Sequence, residues 1–235
     1  MKYNFYINIL ILKSIIYRVI SVTIFGLIFG FRFALLASSI AFILYYSYDY
    51  LFSKIFNIRA ENKGFVLWFT GIPCSGKTTL ADEVYKYLSD RGFKAERLDG
   101  DIVRKGLLCN DLGFSREDRE KNINRITFVS KVLSRNKVIV LASFVSPYEK
   151  TRQKIRETVT NYIEVYVKAP SWTCAERDVK GMWKLAKEGK IKNFTGWSAP
   201  YEESINPEII ANTDKCTVSE NAHQIVDYLK KRKLI

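Results

Sequence analysis

From residue 64 onward, short apolar runs alternate with amphipathic stretches. Residues 64–70 form an apolar run (GFVLWFT) that predicts a buried strand. Beyond residue 78, Leu80, Val84 and Leu88 recur at fourfold spacing, which predicts a helix. Further strands are predicted at 95–98, 137–143 and 162–167, with a short fifth at 215–218. The third is apolar after its leading lysine, as a strand buried on both faces requires. Helical stretches lie between the strands. This alternation predicts an α/β unit, with a five-stranded parallel sheet flanked by helices on both faces. In such sheets ligands gather at the carboxyl ends of the strands.

The first 57 residues differ in kind. Their charges are Lys2, Lys13, Arg18, Arg32, Asp49 and Lys54, and the stretches 19–31 and 33–48 carry none. Two transmembrane helices are expected, at about 14–31 and 33–50, each near the short end of the ~17–25 residues that span a bilayer. Arg32 falls in the turn, Arg18 would snorkel, and Tyr45, Tyr46, Tyr48 and Tyr50 form an aromatic belt. Lys2, Lys13, Lys54, Arg59 and Lys63 flank the open end. The positive-inside rule then expects a multi-pass membrane protein, with both termini and the following domain in the cytoplasm. A re-entrant or surface-lying hairpin and a soluble helical pair are the competing readings. The expected domains are 1–57, a membrane hairpin, and 58–235.

Composition narrows the chemistry. The net charge of +13 suits polyanionic ligands or an anionic membrane surface. No nucleic-acid partner is expected: zinc-finger spacing is absent, and the longest basic run, 230–233, reads as a solvated helix end. Cys74, Cys109, Cys174 and Cys216 are scattered, which argues against a zinc site or a disulfide framework and fits a reducing compartment. His223 is the only histidine and lies far from every motif, so histidine catalysis is not expected.

The sharpest motif is Gly71-Ile72-Pro73-Cys74-Ser75-Gly76-Lys77-Thr78, followed by Thr79. It fits G-x-x-x-x-G-K-[ST] between a strand and a helix, the setting of a phosphate-binding loop. Successive backbone N–H groups and the helix N-terminus face a polyphosphate there. Lys77 adds a point charge, and the Thr78 hydroxyl can hold Mg²⁺. Asp99-Gly100-Asp101 closes the second strand. It can serve Mg²⁺ or accept a hydroxyl proton, or it can be a turn with a helix cap. Arg104 follows one turn later. Ser115 with Asp118 reads as a helix cap, while Phe114, Arg119 and Asn122 offer a ring, a cation and an amide to a ligand. Ser146 could be a nucleophile, but Pro147 and Glu149 favour a helix cap. The segment from Arg177 through Lys180 to Phe194 is basic and glycine-punctuated, and reads as a lid or as a solvated basic helix.

In order, GIPCSGKTT at 71–79, LDGD at 98–101, VR at 103–104, DLGFS at 111–115, DR at 118–119 and Asn122 resemble the adenylylsulfate kinase (APS kinase) family. FVSPY at 144–148, ERDVKG at 176–181, FTG at 194–196, PYE at 200–202 and NPE at 206–208 extend the resemblance over about 64–230. It implies a P-loop kinase fold, ATP and Mg²⁺ as cofactors, adenylylsulfate as acceptor, and a homodimer. Lys77 and the loop would hold ATP, with Arg177 against its adenine. Asp101, helped by Asp99, would orient or deprotonate the acceptor 3′-hydroxyl. Arg104, Arg119 and Asn122 would bind the phosphosulfate, Phe114 and Phe194 would sandwich the acceptor adenine, and Lys180 would arrive with the lid. Ser146 matches a serine described in the family as a phosphorylated intermediate. The chain departs from the family at Ile102, at Trp183, where tyrosine is common, at Ser198-Ala199 and in the expected hairpin. A kinase for the ribose hydroxyl of another activated nucleotide, and a membrane-anchored nucleotide sensor, are the competing functions.

Overall fold

The computed structural model describes residues 63–105 and 109–235, apart from the side chains of Arg104 and Lys105, together with Ile20, Thr23, Ile24, Leu27, Gly30, Ile43 and Ser47. The chain divides into two units, Met1–Ala60 and Glu61–Ile235. In the first, Ile20, Thr23, Ile24, Leu27, Ile43 and Ser47 are helical, and Gly30 between them has φ 87°. The rest of the expected hairpin lies outside the described residues.

The second unit is the expected α/β layer. Strands β1 (Val66–Thr70), β2 (Ala95–Asp99), β3 (Ile139–Ser143), β4 (Tyr162–Lys168) and β5 (Ile209–Asn212) form one sheet in the order β2-β3-β1-β4-β5. Every pairing is parallel, and Phe69 lies opposite both Ser143 and Val165. Around the sheet run α1 (Lys77–Ser89), α2 (Gly100–Lys105), α3 (Arg116–Arg135), α4 (Glu149–Thr158), α5 (Ser171–Arg177), α6 (Met182–Lys187) and α7 (Val218–Lys231). The apolar run of β1 is buried because both of its faces are used. Phe65, Leu67 and Phe69 pack with Leu80, Val84 and Leu88 of α1 and with Ile225 and Leu229 of α7. Val66 and Trp68 join Ile123 and Ile126 of α3 and Ile155 of α4 on the opposite face. The fourfold spacing read in the sequence is therefore the face of α1 that meets the sheet.

Two local expectations fail. Residues 215–218 are not a strand: β5 lies earlier, and Thr217 caps α7 in a reciprocal capping box with Glu220. T-x-x-E is a helix-start signature, and here it outweighs the β-branched pair Thr217-Val218. Ser146 does not cap α4 either. That helix starts at Glu149 after Tyr148, which makes no side-chain cap. Instead Glu202 Oε2, from a distant segment, accepts from Glu149 N at 2.6 Å. Ser115, by contrast, caps α3 as its spacing predicts, accepting from Asp118 N at 3.1 Å.

A buried ion network, invisible in the sequence pattern, fastens the segment 200–208 across the sheet. Arg152 is fully buried. Its Nη1 donates to Ser146 O at 2.7 Å, and its Nη2 donates to Glu202 O at 2.6 Å and to Glu149 Oε2 at 2.5 Å. Glu164 on β4 is buried beside it, accepting from Ser204 Oγ at 2.5 Å. Arg156 pairs with both Glu164 and Glu208. Buried charges need such partners, since removing one leaves the other uncompensated.

Candidate active site

The phosphate loop leaves β1 at Thr70 and enters α1 at Lys77. A side chain at Gly71 is excluded: a Cβ there would lie 2.4 Å from Val167 O and 2.8 Å from Ser75 Oγ. Gly76, at φ 97°, turns the chain into the helix. Between them Cys74 holds φ 65°, and Ser75 N donates to Ile72 O at 3.2 Å. Lys77 Nζ donates to Ile72 O at 2.7 Å, folding the lysine back over its own loop. Burial, set against weaker attraction from nearby groups that include Asp99 and Asp101, lowers the Lys77 ammonium to about 8. Ser75 Oγ is buried without a protein partner. A buried cation and an orphan hydroxyl beside inward-turned backbone fit a polyanion.

Thr78 links this loop to the acids after β2. Its Oγ1 donates to Asp99 Oδ2 at 2.8 Å, and Asp99 Oδ1 accepts from Asp101 N at 2.9 Å. Asp99 is buried, and Asp101 opens α2 exposed. The turn-and-cap reading of Asp99 is thus realised, and the same carboxylate meets the Thr78 hydroxyl of the phosphate loop. Lys180 forms an ion pair with Asp101. That hydrogen bond raises the Lys180 ammonium. Hard oxygen donors at Thr78 and Asp99 suit Mg²⁺, which takes its remaining ligands from water and phosphate. Among the described residues no group of three His, Cys, Asp or Glu side chains could cage a metal alone.

Arg177 ends α5 and reaches Thr213, through Nη1 to Oγ1 at 3.1 Å and Nη2 to O at 2.6 Å. Thr213 Oγ1 in turn donates to Ser75 O at 2.7 Å. Sequence reasoning missed Thr213 because it placed the fifth strand beyond it. The position just after the true β5, at the carboxyl end of the sheet, was the available signal.

The proposed acceptor residues come from several segments. Arg119 bridges them: Nε donates to Phe114 O at 3.0 Å, Nη1 to Thr195 Oγ1 at 2.5 Å and Nη2 to Asn193 O at 2.6 Å. The segments carrying Phe114 and Phe194 are thereby tied to one guanidinium. Phe114 is exposed, whereas Phe194 is buried edge-on against Trp183. Asn122 is buried one turn along α3, and its Oδ1 lacks a protein partner. Arg104 is on α2, its side chain outside the described residues. Ser146 is buried at φ 42°, and its Oγ accepts from Trp68 Nε1 at 2.9 Å.

A phosphate loop facing an acid pair at the end of a parallel sheet defines a nucleotide-dependent phosphotransferase of the P-loop class. The chain belongs to the adenylylsulphate kinase family, whose model matches residues 63–212. It is similar to a probable adenylyl-sulfate kinase of Pseudomonas aeruginosa, at 56% identity over 71% of this chain and 77% of that protein. An adenylyl-sulfate kinase of Halothermothrix orenii is 50% identical over 73% of this chain and 92% of its own length. Among solved structures, the Mycobacterium tuberculosis APS kinase CysC in complex with AMPPNP and APS superposes with a TM-score of 0.68. That structure is 35% identical and covers 72% of this chain and 98% of its own.

These findings correct one expectation. The multi-pass membrane localisation, with both termini in the cytoplasm, is withdrawn. Among the described residues no helix is long and apolar enough to cross a membrane. The match to the Halothermothrix relative spans 73% of this chain and 92% of that protein.

Proposed function

We propose that residues 58–235 transfer the γ-phosphoryl group of ATP to the 3′-hydroxyl of adenylylsulfate, giving 3′-phosphoadenylylsulfate and ADP. The observation that carries this reading is the line Thr78–Asp99–Asp101, with links of 2.8 and 2.9 Å, running from the phosphate loop to an acid. It joins a donor site to a group able to act on an acceptor hydroxyl. Residues 71–79 hold the ATP phosphates through backbone N–H groups and Lys77, and Arg177 lies against the donor adenine. Thr78 and Asp99 would hold Mg²⁺, which would neutralise charge on the phosphates. The 3′-oxygen attacks the γ-phosphorus, and the bond to the β,γ-bridging oxygen breaks. Asp101 orients the attacking hydroxyl and receives its proton. Arg104, Arg119 and Asn122 bind the phosphosulfate, and Phe114 and Phe194 face the acceptor adenine. Lys180, already on Asp101, moves to the anionic substrates.

Ser146 has no nucleophilic part in this reading. Its oxygen is engaged by Trp68, the site offers no histidine base, and direct in-line transfer needs no covalent intermediate. The full chain, given Mg-ATP and adenylylsulfate, is expected to form 3′-phosphoadenylylsulfate on chromatography. Bound nucleotide with no such product would overturn the acceptor assignment.

A further inference from the structure

One buried aromatic side chain at the site takes no part in the chemistry above. Trp183, in the first turn of α6, is 1% exposed. Its indole Nε1 donates to Pro73 O at 3.2 Å, a carbonyl inside the phosphate loop. The same ring meets Phe194 edge-on, with centroids 5.1 Å apart and planes at 79°. Gly196 closes against it: a Cβ there would stand 3.2 Å from Trp183 Cη2. The Trp183 backbone N–H donates to Asp178 Oδ1 at 3.0 Å, and Asp178 lies two residues before Lys180. A single side chain thus touches the donor loop and the acceptor clamp, and it is anchored at the root of the segment that carries Lys180.

We propose that Trp183 is a positioning residue that couples the two substrate sites through its N–H bond to Pro73. Pro73 sits between Ile72, whose carbonyl accepts from both Lys77 and Ser75, and Cys74, whose φ of 65° sets the turn. A polyphosphate that draws the loop N–H groups inward fixes this turn, and Pro73 O with it. The indole is a rigid plane hydrogen-bonded at one edge and packed on Phe194, so it holds the clamp ring in register with the loop. Without the N–H, Phe194 stays packed but loses that register. The inference rests on the acceptor assignment made above, since it concerns how the acceptor clamp is set.

The test compares the full-length wild type with Trp183→Phe and Trp183→Tyr. Phenylalanine keeps a ring against Phe194 and loses the donor, and tyrosine returns a donor at the end of its ring. Titration calorimetry reads the adenylylsulfate Kd with and without a saturating non-hydrolysable ATP analogue. The wild type is expected to bind adenylylsulfate about tenfold more tightly with the analogue present, a coupling of about 1.4 kcal/mol. In Trp183→Phe that ratio falls to about 1 and KM for adenylylsulfate rises about tenfold, with kcat within about threefold, as loss of binding without loss of chemistry requires. Trp183→Tyr recovers most of the coupling. A Phe variant with wild-type coupling overturns the proposal. So do equal losses in both variants accompanied by a lowered unfolding midpoint, because the role is then packing alone. A wild type that turns over with a ratio of 1 also overturns it. A wild type that binds no adenylylsulfate fails earlier, at the acceptor assignment, and takes this proposal with it.

Discussion

In the proposed reading the donor phosphates meet nine consecutive residues, 71–79, whereas the acceptor meets residues gathered from segments around Asp101, Phe114, Arg119, Lys180 and Phe194. The donor loop is shaped by its own contacts, Lys77 and Ser75 both on Ile72 O, with Thr213 bracing Ser75 from outside. It holds a buried cation and a hydroxyl with no protein partner. On the acceptor side, charged groups are engaged across segments: Lys180 with the Asp101 carboxylate, and Arg119 with the Thr195 hydroxyl and the Asn193 carbonyl. The donor half is thus one continuous stretch of chain, while the acceptor half is tied together across distant segments. Perturbing the first half should change nucleotide binding, and perturbing the second should change acceptor binding or chemistry.

Asp101→Ala tests the border between the halves and carries the largest expected effect. Loss of a positioned acid or base costs about 10²–10⁴-fold in kcat. Affinity for an ATP analogue should stay within about threefold, because Asp101 meets Asp99 through its backbone N–H, which alanine keeps, and its pull on Lys77 is weaker than that of Asp99. A large fall in nucleotide affinity with kcat preserved would place Asp101 on the donor side and erase the contrast. Arg119→Ala comes next. Hydrogen bonds to charged groups contribute about 1.5–3 kcal/mol each, so KM for adenylylsulfate should rise about 10–100-fold. KM for ATP should be nearly unchanged. Equal rises in both KM values would show that Arg119 is a general brace for the fold.

The same contrast explains what the sequence makes legible. A contiguous loop between a strand and a helix announces itself, because local geometry and chemistry share one stretch of chain. Ser115 as a cap is legible for the same reason. Arg152 and Glu164 are not: each reads as an ordinary surface charge, and only the fold reveals that both are buried around Ser146 and the segment 200–208. Thr213 was lost through a misplaced strand, although the T-x-x-E at 217–220 marked a helix start there. Ser146 misled because Pro147 and Glu149 imitate a helix entry, while Glu202, more than fifty residues away, supplies the cap.

The pH dependence of donor binding sharpens the donor half alone. Burial lowers the Lys77 ammonium to about 8. A bound polyphosphate favours the charged ammonium and so raises its pKa. Below pH 8 the lysine is protonated in both states, and affinity for the ATP analogue is flat with respect to this group. Above pH 8 binding must take up a proton, so affinity falls by up to about tenfold per pH unit until the bound-state pKa is reached. Cys74 does not confuse the reading near pH 8, because burial pushes its thiol above the usual range. Lys77→Met should bind the analogue weakly and without this slope over about one pH unit on either side of the transition. A slope retained in that variant would assign the proton to another group.

Ser146→Ala carries the smallest kinetic effect and separates two accounts of the same residue. The residue is 2% exposed, and its hydroxyl accepts from the indole of Trp68, which is itself fully buried on β1. Its backbone carbonyl is held by Arg152 and its φ of 42° is strained for a residue with a side chain. These are the contacts of a residue that shapes the loop after β3. Alanine keeps the carbonyl that Arg152 holds and removes only the acceptor for Trp68 Nε1. An unsatisfied buried donor costs about 1–3 kcal/mol, so denaturant unfolding should show a loss of that size. At a temperature where the variant is folded, kcat should remain within about twofold of the wild type, because no bond to the serine oxygen forms or breaks during in-line transfer. A covalent phosphoserine route predicts the opposite pairing, with turnover abolished and stability little changed. Measured together, the unfolding curve and the turnover number decide whether Ser146 belongs to the chemistry or to the frame that holds the acceptor side in place.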